Sequence, residues 1–527
     1  MSRSKSLLVA ALFCTPLHAY ADGNFADTRV SFTVGDDNFL AGTLDNGLIP
    51  SPGLGIGDRP GFQLNLERID RGQTGRETQT DLALYKKMPG YIPGVMTEAG
   101  LIVRLQQSVV TGSNSNSPFL FDDGSFIRIA YTPGGVYSPD ENYEAICFPA
   151  SSERVRLGYN FNMSWGGGQM FPFIRTGQAR APGCKLQVNS RKGYAFVAAK
   201  TQLVLVRLNE AQNENGPNGD QTQNARETQY GVLGGAGYDL TPEIRLEAQG
   251  GFFQQGFQEL TGVEGAPIFT SGASFQASYH VGMDTKNTAM GRLFRNDPDA
   301  PPAFQTAEKY KPGSLSYLLA AEGSILYQAL ADPDNFGNTK LQPAIGGDIN
   351  LIVRRNYDRL WLDLGYQSLE FLTRNVPGFF PFEANPKSLQ AAPLFYVNAR
   401  ADRHFPNRKL TPGIIAGLTV PAHVTSVVTN AEQGLPPVER TVVVREQFLA
   451  DNSQQLFFDP LPVNQRALPI VSLKGSLRWD VSQHVAATVE LSYQFDQNRT
   501  VFDSDVADFV FVGSSIFGGL FNLTARF

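Results

Sequence analysis

The chain closes on Phe521-Asn-Leu-Thr-Ala-Arg-Phe527. Phe521, Leu523, Ala525 and Phe527 alternate with Asn522, Thr524 and Arg526. Successive residues of a strand point to opposite faces, so this segment has one apolar face and one polar face. The same pattern recurs upstream. Val155, Leu157, Tyr159, Phe161, Met163 and Trp165 alternate with polar or small residues from Arg154 onward. Val471, Leu473, Gly475, Leu477 and Trp479 do so, as do Val485, Ala487, Val489, Leu491, Tyr493 and Phe495. A soluble sandwich would bury such apolar faces as its core. A membrane barrel would turn them to lipid and face the polar side to a wet lumen. Periodicity alone does not separate the two.

Turn lengths do. Short turns occur at Asp239–Glu243, Asn356–Arg359, Pro406–Lys409 and Asp480–Gln483. Long Gly-, Pro-, Asn- and Asp-rich loops cover roughly 36–60, 134–152, 209–225, 257–267, 373–391, 425–466 and 499–514. Expected strands are 26–35, 61–70, 78–87, 97–107, 124–133, 153–165, 193–208, 226–239, 244–256, 270–283, 314–330, 343–356, 359–372, 393–404, 411–424, 468–480, 484–497 and 515–527. That is an all-β, up-and-down antiparallel barrel of about 18 strands, with 16–20 as the range, in which every short turn falls at the end where the chain stops. Two segments break the short-turn rule there, 166–192 and 284–313. Each is a candidate constriction or partner-docking element.

At the other end, Arg3 and Lys5 precede an apolar stretch from Leu7 to Leu17, and Ala19-Tyr20-Ala21 fits a small-x-small cleavage site. Residues 1–21 read as a signal peptide, leaving 22–527 as the barrel. Cys14 follows Phe13 rather than a small residue, which argues against a lipoprotein. The mature chain has no apolar run of about 18 residues, so it has no transmembrane helix. Its 52 Gly, 37 Phe and 18 Tyr, with only 18% charged residues, suit alternating strands. So does a mean hydropathy of −0.20, because the two faces average out. The net charge of −6 argues against nucleic acid as a partner. An oxidising compartment permits a disulfide between Cys147 and Cys184; two separate thiols are the alternative.

The terminal strand resembles the closing strand of bacterial outer-membrane β-barrels, where assembly machinery reads a C-terminal aromatic. Phe527 is then the assembly signal, and the compartment is the Gram-negative cell outer membrane. The whole mature chain resembles large porin-type diffusion channels. It is also similar to barrels that export anionic polysaccharide through an Arg-lined lumen gated by a periplasmic turn. The resemblance implies partners in outer-membrane lipid, the barrel-assembly machinery and a periplasmic export or envelope-complex protein. It implies a channel for polar or anionic solutes or polysaccharide. The alternative is a non-catalytic anchor for a surface motility, adhesion or envelope complex.

Alternation assigns the inward, pore-lining charges as Arg104, Arg128, Arg154, Arg156, Arg245, Glu247, Asp348, Arg354, Arg400, Asp402, Lys474, Arg478 and Glu490. Arg104, Arg128, Arg154 and Arg156 fall on consecutive expected strands with Glu98 as their neighbouring acid, an anion-attracting stripe. Trp165, Trp479, Tyr238 and Tyr279 are expected in an aromatic girdle on the lipid face. Barrel enzymes need a His beside a Ser or Asp. Only His423, with Ser426 nearby, is placed for that, and no Gly-x-Ser-x-Gly, His-Glu-x-x-His or phosphate-loop motif is present. The reading is non-enzymatic, with no cofactor or metal. Deleting Phe527 is expected to lower the folded, heat-modifiable outer-membrane fraction several-fold on semi-native gels, while Phe527→Tyr retains it.

Overall fold

A computed structural model describes residues 27–36, 77–89, 91–108, 119–122, 125–138, 140–150, 152, 155–159, 165–166, 181–207, 224–258, 260–283, 314–375, 384–387, 389–430, 435–448, 454–482 and 484–526. The signal peptide, Phe527, Arg154 and 284–313 lie outside them. The architecture is a large antiparallel sheet. Its members are β1 (Asp27–Asp36), β2 (Glu77–Pro89), β3 (Val95–Ser108), β4 (Phe119–Asp122, resuming at Phe126–Tyr131), β5 (Asn142–Phe148), β6 (Gly183–Ser190), β7 (Gly193–Arg207), β8 (Asn224–Asp239) and β9 (Ile244–Phe257). They continue through β10 (Pro267–Val281), β11 (Leu315–Ala331), β12 (Thr339–Arg355), β13 (Asp358–Gln367), β14 (Leu394–Arg403), β15 (Leu410–Val420), β16 (Ile470–Asp480), β17 (Val485–Phe495) and β18 (Ser515–Arg526).

Each strand pairs with the next, and β18 pairs with both β17 and β1, so the pairings run full circle. The terminal strand docks as its alternation requires. Ala525, Leu523 and Phe521 stand opposite Val30, Phe32 and Val34 of β1. On the other face Asn522 Nδ2 donates to Thr33 Oγ1 (2.8 Å), and both residues are buried. Apolar residues therefore cover the outside and polar residues the inside. Phe32, Leu473, Val489, Leu491 and Leu523 are exposed; Ser472, Lys474, Thr488, Glu490 and Asn522 are buried.

The short turns lie at the end where β18 stops. One of the two-residue turns, Asn356-Tyr357 between β12 and β13, puts Asn356 at φ 53°. Asn is among the few side chains that adopt this left-handed conformation readily.

Two expected strands are not among the described strands of the ring. Segment 61–70 lies outside the described residues, and β1 pairs directly with β2. Segment 153–165, the cleanest alternation upstream, is not a wall strand. Val155, Leu157, Tyr159 and Trp165 are buried in the interior, and Leu157 and Trp165 exchange backbone hydrogen bonds (2.9 and 2.8 Å). Alternation reports that one face is covered, not what covers it. Two short strands replace them, β5 inside the expected 134–152 loop and β6 inside the expected 166–192 segment. They pair along Asn142↔Asn189 to Phe148↔Gly183, and Cys147 and Cys184, opposite each other, are joined as a disulfide. The β5–β6 connection consequently lies at the long-loop end, not on the periplasmic side.

At that end, parts of the long connections among the described residues are folded. Helix α1 (Leu369–Asn375) begins at Ser368, whose Oγ accepts from the Phe371 amide (3.2 Å). The expected 425–466 loop is largely a sheet of Gln390–Ala392, His423–Asn430, Leu435–Phe448 and Gln454–Pro460. Val424, Val442 and Val444 of this sheet pack with Leu369 and Leu372 of α1 onto inward Leu394, Tyr396 and Ile415. Val489→Arg on the outer face is expected to cost about 2–4 kcal/mol in urea unfolding from lipid vesicles. The same change at inward Ser492 should cost less.

Candidate functional site

The interior has two unlike sides. One is an apolar cluster built around the inward-folded β5–β6 connection. Val155, Leu157 and Trp165 pack with Phe148, Phe196, Leu233, Phe253, Leu326, Ala344 and Phe371. Trp165, expected in the lipid-facing girdle, instead meets Phe253 edge-on at 5.6 Å between ring centres. Glycines in the wall make room for it. A Cβ at Gly231 would collide with Phe253, and one at Gly251 with Leu157.

The connection is also tethered by polar contacts. The Gly158 amide donates to Gln249 Oε1 and the Tyr159 amide to Glu322 Oε1, both at 2.9 Å. Buried Lys200 donates to the carbonyls of Ser152 (2.9 Å) and Gly166 (2.6 Å), holding the two arms of the segment together. Burial, then neighbouring Tyr194 and Glu247, raise the Tyr159 phenol well above its ordinary pKa. Gln249, Glu322 and Lys200 lie on β9, β11 and β7, so these tethers are all to one side of the wall.

The other side is a charged track on β12 to β17. Arg359 grips Asp402 through Nε (3.0 Å) and Nη2 (2.8 Å). Arg400 reaches the same carboxylate (3.3 Å) and lies over the Trp361 ring. Arg478 pairs with Asp480 (2.8 Å) and Lys474 with Glu490 (2.9 Å). Arg354 stands opposite Arg359 in register. Deeper, the Tyr396 hydroxyl donates to Asp348 (2.5 Å).

Of the expected Arg stripe on the first strands, the described residues show Arg128 on the wall and Arg156 off it. Arg156 sits in the inward segment, not on the wall, and the side chain of Arg104 lies outside the described residues, as does Arg154. Arg128 is held between Glu98 (3.0 Å) and Glu144 (2.5 Å). Glu144 was invisible to strand counting because β5 was. Arg245 pairs with Asp239 and Glu247, both at 3.1 Å, and Glu247 accepts from the Tyr194 hydroxyl (2.9 Å). Sequence reasoning missed Arg359, assigned to a turn, and Lys200, which follows a run of small residues; period two from Tyr194 and Phe196 places Lys200 inward. His423 Nδ1 contacts the Pro421 carbonyl (3.1 Å). Ser426 lies three residues along the same strand, on its opposite face, so the two do not form a nucleophile–base pair.

An apolar exterior around an interior with a charged track on one side, with every wall strand hydrogen-bonded on both sides, suits lipid outside and water beside that track. The fold is that of a membrane-spanning β-barrel. No protein-family model matches its sequence, and no curated protein does. Among solved structures it is similar to Pseudomonas aeruginosa OpdL, with 9% identity, 95% of this chain and 97% of that one covered, and a TM-score of 0.38. It is similar to Acinetobacter baumannii OccAB1, with 7% identity, 95% and 96% covered, and a TM-score of 0.42. It is similar to Escherichia coli Wzi, described as a carbohydrate-binding β-barrel involved in group 1 capsule assembly, with 10% identity, 95% and 85% covered, and a TM-score of 0.39. Phe253→Ala, which removes the ring seating Trp165, is expected to destabilise the barrel by about 3–5 kcal/mol, read by urea unfolding.

Proposed function

We propose that the protein is a non-catalytic outer-membrane channel for polar solutes, narrowed by the β5–β6 connection and favouring anions at its short-turn mouth. The observation that carries this is the two-sided interior. The inward segment is tethered to β7, β9 and β11, while β12 to β17 offer a ladder of charged groups. At the short-turn end of that ladder, Arg354, Arg359, Arg400 and Arg478 come from four different strands. Guanidiniums lining a pore favour anions, and their ion pairs fix them without removing their donors. A carboxylate-bearing polysaccharide belongs to the same chemical class as a small anion here, and its export is the larger-cargo form of the reading.

The test is conductance in planar bilayers under a salt gradient. Wild-type protein is expected to conduct with chloride favoured over potassium. Arg354→Glu should shift the reversal potential toward cations. Unchanged selectivity would remove the short-turn mouth from the conducting path. Absence of conductance, even after residues 152–182 are replaced by a short linker, would sink the channel reading in favour of an envelope-complex anchor. Surface polysaccharide is expected to fall in a deletion strain if polysaccharide is the cargo.

A further inference from the structure

The outer wall carries a second feature that the channel reading does not use. Between β12 and β15, near the short-turn end, lies a shallow groove of about 520 Å³. Its floor is a register row of outward residues, Val353↔Leu360↔Ala401↔Ile414, with Pro412 beside it. Ala401 is the pit, because its methyl group sits between the branched side chains of Leu360 and Ile414. One layer toward the chain ends, the next outward row is charged: Arg355↔Asp358↔Arg403. Arg403 approaches Asp358 at 3.6 Å, with both side chains more than half exposed. Arg355 has no carboxylate within ion-pair distance among the described residues.

The geometry points to a binding site for one zwitterionic phospholipid of the periplasmic leaflet. The groove faces lipid, and a charged row directly above an apolar pit matches the polarity profile of a phospholipid at the membrane boundary. The alternation of signs supplies the headgroup's complement. Arg355 and Arg403 donate to the phosphodiester, Asp358 accepts from an ammonium, and an acyl chain lies across Ala401. A free phosphate ion has no use for the pit. The site rests on the barrel's orientation in the membrane and not on conduction.

Native mass spectrometry of the detergent-purified full chain titrated with phosphatidylethanolamine tests it. Wild-type protein is expected to retain one lipid. Ala401→Leu, which fills the pit from the lipid side, should lower that occupancy at least tenfold, and Arg355→Gln with Arg403→Gln should lower it comparably. Ala248→Leu, outward on β9, should leave it unchanged, and heat-modifiable migration confirms that each variant is folded. Retention in Ala401→Leu equal to wild type would overturn the site. So would displacement of the lipid by millimolar inorganic phosphate, or a chain dimer abolished by Ala401→Leu, which would assign the groove to a second copy.

Discussion

The whole structure hangs on the seam between β18 and β1. In hydrocarbon no water satisfies an exposed amide or carbonyl, so a sheet crosses a membrane only if it has no edge. Here the last strand meets the first with Phe32 against Leu523 outside and Thr33 bonded to Asn522 inside. That contact fixes more than closure. A slip of one residue would turn Phe521 and Leu523 inward and Asn522 and Thr524 to lipid. The register of the seam therefore helps to set which residues face the interior around the ring.

With the ring closed, the interior has to be filled or wetted, and the chain does both. The β5–β6 connection brings apolar side chains inside and seats them on Phe253 and Phe196. The Gly158 and Tyr159 amides are met by Gln249 and Glu322, and the Ser152 and Gly166 carbonyls by Lys200. Such a segment is stable inside only because glycines at 231 and 251 leave space and because buried amides find partners. Across the lumen the apolar packing gathers at the long-loop end, where α1 and the folded 423–460 sheet sit on Leu394, Tyr396 and Ile415. Basic side chains and carboxylates hold each other along single strands (Arg400–Asp402, Arg478–Asp480) and across neighbouring ones (Arg359–Asp402, Lys474–Glu490), which keeps charged groups in place at the water-facing wall. Breaking one partner of such a buried pair is far more damaging than the pair is stabilising, so these ladders are better read as positioning devices than as sources of stability.

Much of this was legible from the residues. The strands around 471–480 and 485–496, the terminal strand and the short turns fall where their alternation and turn chemistry place them. The inward positions of Arg245, Arg400, Asp402, Lys474, Arg478 and Glu490 follow from the same period of two. What failed failed for a physical reason. Segment 153–165 alternates because one of its faces is buried, and burial against Phe253 leaves the same signature as burial against lipid. Strands β5 and β6 are short, carry Glu144, Lys185 and Asn189 inside, and are flanked by Pro139 and Pro149, so they read as loop. The sheet over 423–460 was hidden by similar interruptions. The groove at Ala401 depends on which small side chain neighbours which large one across three strands, and that is set by register, not by any single segment.

The central claim is that an alternating segment lies inside the barrel and not in its wall. Nitroxide scanning from Val155 to Tyr159 in lipid-reconstituted protein, read as oxygen accessibility by electron paramagnetic resonance, tests it directly. The account predicts uniformly low oxygen accessibility at 155, 157 and 159, with restricted mobility. A period-two rise in oxygen accessibility at those positions, matching that at Val489 and Leu491, would place the segment in the lipid-facing wall and contradict it.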